Sequence, residues 1–84
     1  MLALKPNCEC CGKDLPPSAA DALICTFECT FCAGCAENLF GKSCPNCGGN
    51  LVVRPIRPEK HLPANPASTK RSTKTHPECA HLHA

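Results

Sequence analysis

The chain has 84 residues, with ten Cys, nine Pro, three Phe and neither Trp nor Tyr, so it buries too little apolar surface to offset its chain entropy without a covalent or metallic brace. Its formal charge of +2 is unevenly placed: residues 1 to 53 carry three Lys against five Asp and Glu, and residues 54 to 84 carry six Lys and Arg against two Glu. No apolar stretch approaches a membrane span and Met1 to Pro6 lacks the apolar core of a secretory leader, so a cytoplasmic protein is expected and disulfides are disfavoured as the brace.

Along the chain, the first feature is Cys8-Glu9-Cys10-Cys11, three thiols where a metal knuckle uses two. The C-x2-C spacing selects Cys8 and Cys11, because it wraps one tetrahedral ion. Cys10 is then expected as a small apolar filler or a spare thiol, with Glu9 beside it raising rather than lowering a thiol pKa. Leu15-Pro16-Pro17 stiffens the exit from the knuckle. Leu23 to Cys29 is rich in β-branched and aromatic residues and predicts two short strands or a tight hairpin around Cys25 and Cys29.

Phe31-Cys32-Ala33-Gly34-Cys35 reads as the next knuckle. Ala36 to Phe40 predicts a short helix stopped by Gly41, with Cys35 near its positive end and Leu39 and Phe40 packed on the metal sites. In Cys44-Pro45-Asn46-Cys47-Gly48-Gly49 the glycines let backbone amides approach the sulfurs, and Leu51 to Val53 predicts a closing strand.

The expected core draws on Leu15, Leu23, Ile24, Phe27, Phe31, Leu39, Phe40, Leu51, Val52, Val53 and Ile56, all within residues 1–56, which form one expected domain. Residues 57–84 bring four prolines and only Leu62 and Leu82 as large apolar side chains, and are expected as a flexible, disordered tail. Eight cysteines in C-x2-C and C-x3-C spacing point to two structural Zn2+ ions with no coordination position left for a substrate. Eight thiolates and two dications make the domain four charges more negative, an acidic surface that would not attract nucleic acid by charge. Spacing leaves three ligand pairings open: sequential, a ribbon-like pairing of Cys29 and Cys32 with Cys44 and Cys47, or a cross-brace.

The order of two cysteines, a loop, four closely spaced ligands and a final C-P-x-C resembles the RING finger family, with Pro45 inside the last pair. CTFECTFCAGC followed by CPNCGG is also similar to small bacterial proteins of unknown function bearing a RING-like array. The resemblance implies a small metal-stabilised α+β fold, a RING-like cross-brace with a short hairpin and one short helix. It assigns one zinc to Cys8, Cys11, Cys32 and Cys35 and the other to Cys25, Cys29, Cys44 and Cys47. A RING ubiquitin ligase docks its conjugating enzyme through an apolar residue after the first cysteine, an aromatic or apolar residue before the last pair and a basic residue after the last cysteine. Here those places hold Glu9, at best Leu39 and Phe40, and Gly48 with Gly49, so most of that docking surface is missing.

Catalysis is not expected. The domain holds no histidine, Asp14, Asp21, Glu28 and Glu37 form no paired arrangement, and no Gly-rich phosphate loop is present. Lys70-Arg71-Ser72-Thr73-Lys74 offers weak phosphate contacts, or is a solvated tail. His76, Cys79, His81 and His83 are candidate ligands for a third metal, or an unstructured end. The expected function is a zinc-bearing protein-interaction module without chemistry of its own, with neither a membrane nor a small-molecule substrate as partner. The alternatives are a ubiquitin-ligase-like adaptor, a nucleic-acid-binding module using the tail, and zinc buffering or redox sensing through Cys10 and Cys79.

Overall fold

The computed structural model describes residues 2–73 and Cys79. Three short strands form an antiparallel sheet in the order β2-β1-β3, with β1 at Ala22–Ile24, β2 at Thr30–Cys32 and β3 at Val52–Val53. β1 and β2 are the two arms of a hairpin, with Leu23 opposite Phe31 and Ile24 opposite Thr30. Its turn closes through the Glu28 amide on the Cys25 carbonyl at 3.0 Å, with Glu28 in the left-handed region at φ 63°. β3 adds to the other side of β1, pairing Val53 with Leu23 and Val52 with Ile24.

Helix α1 spans Ala33–Asn38, three residues earlier than the sequence suggests. The shift has a local cause: β2 runs directly into the helix through Cys32, and the Ala33 amide is already satisfied by the Asp21 carbonyl at 2.8 Å. Cys35 therefore lies inside α1 rather than ahead of it. A 3-10 turn follows later at Glu59–His61.

The core is small. Phe31, Leu15, Leu51, Leu23, Ala22 and Ala36 pack among buried cysteines, with Leu39 and Phe40 half-covered against them. Phe31 and Phe40 meet edge to face at 5.2 Å. Four residues expected in the core lie outside it: Phe27 is 74% exposed, and Val52, Val53 and Ile56 are also exposed. Phe27 occupies the hairpin turn, and β3 is an edge strand too short to carry a second layer.

Two charged side chains take places that apolar residues would otherwise fill. Arg54, 2% exposed, donates to the carbonyls of Lys5, Leu15 and Pro16. Glu9, 1% exposed, accepts from the Thr30 amide and the Lys5 ammonium.

Arg57 to Thr73, expected as a flexible tail, lies back along the domain instead. Arg57 donates to the Leu2 and Asn65 carbonyls, the Ser68 amide to the Ala3 carbonyl, and Asn7 and Ser72 exchange two hydrogen bonds. Arg71 reaches Asp14 and the Gly12 carbonyl. Polar pairing anchors this stretch where apolar content was too low to suggest order. Among the described residues no helix is long and apolar enough to cross a membrane.

Candidate metal centre

Two knuckles of this chain are built alike. In each, the residue before the first cysteine bridges to a residue three beyond the second: Asn7 with Asp14 around Cys8 and Cys11, Ser43 with Asn50 around Cys44 and Cys47. The first cysteine donates its amide five residues on, Cys8 to Lys13 at 2.8 Å and Cys44 to Gly49 at 2.6 Å. The glycine after the second cysteine donates back, Gly12 to Cys8 at 3.0 Å and Gly48 to Cys44 at 2.9 Å. Gly12 and Gly48 do this at φ 80° and 81°, a conformation that strains any side chain.

These turns aim amides at sulfur. Cys10 and Cys11 amides lie 3.4 and 3.5 Å from Cys8 Sγ, the Phe27 amide 3.3 Å from Cys25 Sγ and the Gly49 amide 3.4 Å from Cys47 Sγ. Amide donors compensate negative charge on a thiolate, as ligand sulfurs in a metal site require.

The tertiary fold gathers the sulfurs into two groups. Those of Cys8, Cys11, Cys32 and Cys35 lie within 4.8 Å of one another, as do those of Cys25, Cys44 and Cys47. The groups alternate along the chain. Cys29, expected in the second, contacts Cys25 but stands outside the mutual grouping of three. Across the hairpin the Cys25 amide donates to the Cys29 carbonyl at 3.3 Å.

The first group is compact enough to surround one metal ion, and one of its separations can be compared with a tetrahedral shell. With metal–sulfur bonds of about 2.3 Å, sulfurs at tetrahedral corners stand about 3.8 Å apart. Cys11 Sγ and Cys32 Sγ are 3.7 Å apart.

Thiol acidities are split within each group. Burial pushes Cys25 up, but the Phe27 and Cys29 amides and the Cys47 and Cys29 thiols outweigh it and bring its pKa down to about 7. At Cys8 burial is likewise opposed, by backbone hydrogen bonding from Cys11, Cys32 and Cys10, and the net shift is downward. Burial holds Cys32 and Cys35 above the usual thiol value and raises Cys44 to about 12. Each group thus holds one thiol shifted downward beside at least one that burial shifts upward, and a bound dication favours the charged form that burial opposes.

The remaining two cysteines depart from expectation. Cys10 and Cys79, both fully buried, form a disulfide with 5.3 Å between their Cα atoms. Cys10 is therefore neither a filler nor a spare thiol, and Cys79 is not an available ligand for a third metal. The physical reason is proximity across 69 residues, which spacing cannot reveal. His76, His81 and His83 lie outside the described residues.

Comparison with known proteins adds a lineage. A family model described as "Protein of unknown function (DUF1272)" matches residues 1–57. An uncharacterized protein of Rhizobium meliloti (strain 1021) is 66% identical over 74 residues, covering 88% of each chain. No solved structure matches significantly.

Proposed function

We propose that this chain, which belongs to the DUF1272 family, is a two-zinc module that presents a binding surface to a protein partner and performs no chemistry of its own. The observation that carries this reading is the first group of four sulfurs, all within 4.8 Å of one another and with amide donors on Cys8. Zinc suits an all-thiolate tetrahedral set, and four sulfurs close the coordination shell against water or substrate.

Cys29, whose thiol already contacts Cys25, supplies the fourth ligand of the second centre beside Cys25, Cys44 and Cys47. The pairing is then the interleaved one of RING fingers, in which each ion ties distant parts of the chain together. Metal binding accounts for much of the folding energy, as the modest apolar core requires.

Protein interaction is favoured over ligase-type docking by where the side chains lie. Glu9 is buried as a structural acceptor, and Leu39 and Phe40 are half-covered against the core, with Phe40 on Phe31. Among the described residues, the large apolar side chains most open to a partner are Phe27, Val52, Val53 and Ile56.

Native mass spectrometry combined with X-ray absorption tests the metal reading. Two zinc ions, each in a shell of four sulfurs at about 2.3 Å, are expected. A chain that folds identically without metal, or an oxygen-rich shell, would refute it.

A further inference from the structure

The Cys10–Cys79 disulfide joins the middle of the first knuckle to a residue 69 positions further on, and neither sulfur belongs to a metal group. Weaker ties bring the preceding segment to the same place. Asn7 and Ser72 exchange hydrogen bonds at 2.8 and 3.3 Å, and Arg71 contacts Asp14 and the Gly12 carbonyl. Arg71 and Asp14 are both largely exposed, and ion pairs of that kind hold a segment only weakly. The covalent bond is what makes the arrangement persistent, because it removes the entropy of a long open chain.

We propose that Cys10–Cys79 is a redox latch. Closed, it holds the segment around Ser68 to Thr73 across the first knuckle, with Arg71 against Asp14. Open, it frees that segment and its adjacent Lys70 and Arg71 cations. The metal ligands are spared in both states, because Cys8 and Cys11 complete the knuckle without Cys10.

The chemistry is thiol–disulfide exchange with a low-molecular-weight disulfide such as oxidised glutathione. One thiolate of the pair attacks the small disulfide, forms a mixed disulfide and expels one small thiolate. The second protein thiolate attacks the mixed disulfide, forms the Cys10–Cys79 bond and expels the other. Two protein thiols are oxidised, one small disulfide is reduced to two thiols, and the two protons pass to the departing thiolates. Excess small thiol runs the same steps backward.

The test uses the full metal-loaded chain, equilibrated in parallel with oxidised glutathione and with excess reduced thiol. Peptide mapping after denaturation and alkylation should find Cys10 joined to Cys79 in the first sample and both alkylated in the second. Tryptic cutting after Lys70 and Arg71 should be about tenfold faster in the reduced sample. The metal count should be the same in both. Cys79→Ser should be cut at the fast rate in either buffer, and Cys10→Ser provides the same check from the other side of the bond.

Ten alkylated thiols in the oxidised sample would overturn the latch. So would equal cutting rates, or metal lost as the bond forms. The cutting comparison does not depend on which metal is bound, so failure of the latch is distinguishable from failure of the zinc reading.

Discussion

Glu9 holds Thr30 twice: its amide donates to the Thr30 carbonyl at 2.9 Å, and its carboxylate Oε2 accepts the Thr30 amide at 2.7 Å. This clamp fastens the first knuckle to the strand that delivers Cys32. Two halves of one sulfur group, distant in sequence, are thereby held in register.

Removing the clamp is costly because it leaves a buried amide without an acceptor. Glu9→Ala should destabilise the metal-loaded protein by about 2–3 kcal/mol in chemical denaturation, with Glu9→Gln losing less because an amide oxygen still accepts. Equal stability of the alanine variant and the parent would show that the clamp contributes nothing.

Arg54 ties together the N-terminal segment and the Leu15-Pro16 turn by satisfying three carbonyls at once. Arg54→Ala should cost about 3 kcal/mol, since buried carbonyls lose their donors. Arg54→Lys should fail to restore stability, because a single ammonium does not reproduce the guanidinium fork. Full recovery with lysine, measured by thermal unfolding, would contradict this account.

Ligand substitutions separate the two centres. Cys32→Ser and Cys44→Ser should each remove one zinc and unfold part of the domain, and a chelator should unfold the whole. Cys29→Ser should weaken the second centre less than Cys44→Ser does, because three sulfurs already gather there without it. Competitive zinc titration of the variants checks the order.

The Asp21 carboxyl lies below the ordinary carboxylate range, first because the Lys13 ammonium hydrogen-bonds to it and further through that charge. A depressed carboxyl pKa stabilises the fold above the unfolded value and loses that contribution as pH falls through the folded value. Lys13→Met should therefore move the Asp21 titration up toward the ordinary range in an NMR titration. The pair is exposed, so the neutral-pH unfolding midpoint should barely change.

Phe27 is open to solvent at the hairpin turn. Phe27→Ser should leave stability within about 0.5 kcal/mol of the parent by chemical denaturation. A loss several times larger would mean that Phe27 is covered in solution.

The knuckles were readable from residue order because they are local. The backbone bonds that close each turn, Cys8 to Lys13 and Gly12 to Cys8, Cys44 to Gly49 and Gly48 to Cys44, run within the same short segment, and the glycines at 12 and 48 are required by the backbone there. The hairpin around Cys25 and the closing strand were readable for the same reason, as β-branched and aromatic residues flank a turn. Which knuckles share a centre was suggested only by likeness to RING fingers, since spacing permits three pairings.

Contacts across long separations decided the rest. The grouping of Cys8 and Cys11 with Cys32 and Cys35 depends on main-chain and carboxylate bonds between residues 9 and 30. Burial of Glu9 and Arg54 follows from acceptors and donors that only the closed fold assembles, against the ordinary preference of charged side chains for water. Cys10 finds Cys79 because the polar chain between Arg57 and Thr73 doubles back along the domain, and no periodicity in the sequence encodes a return of that length.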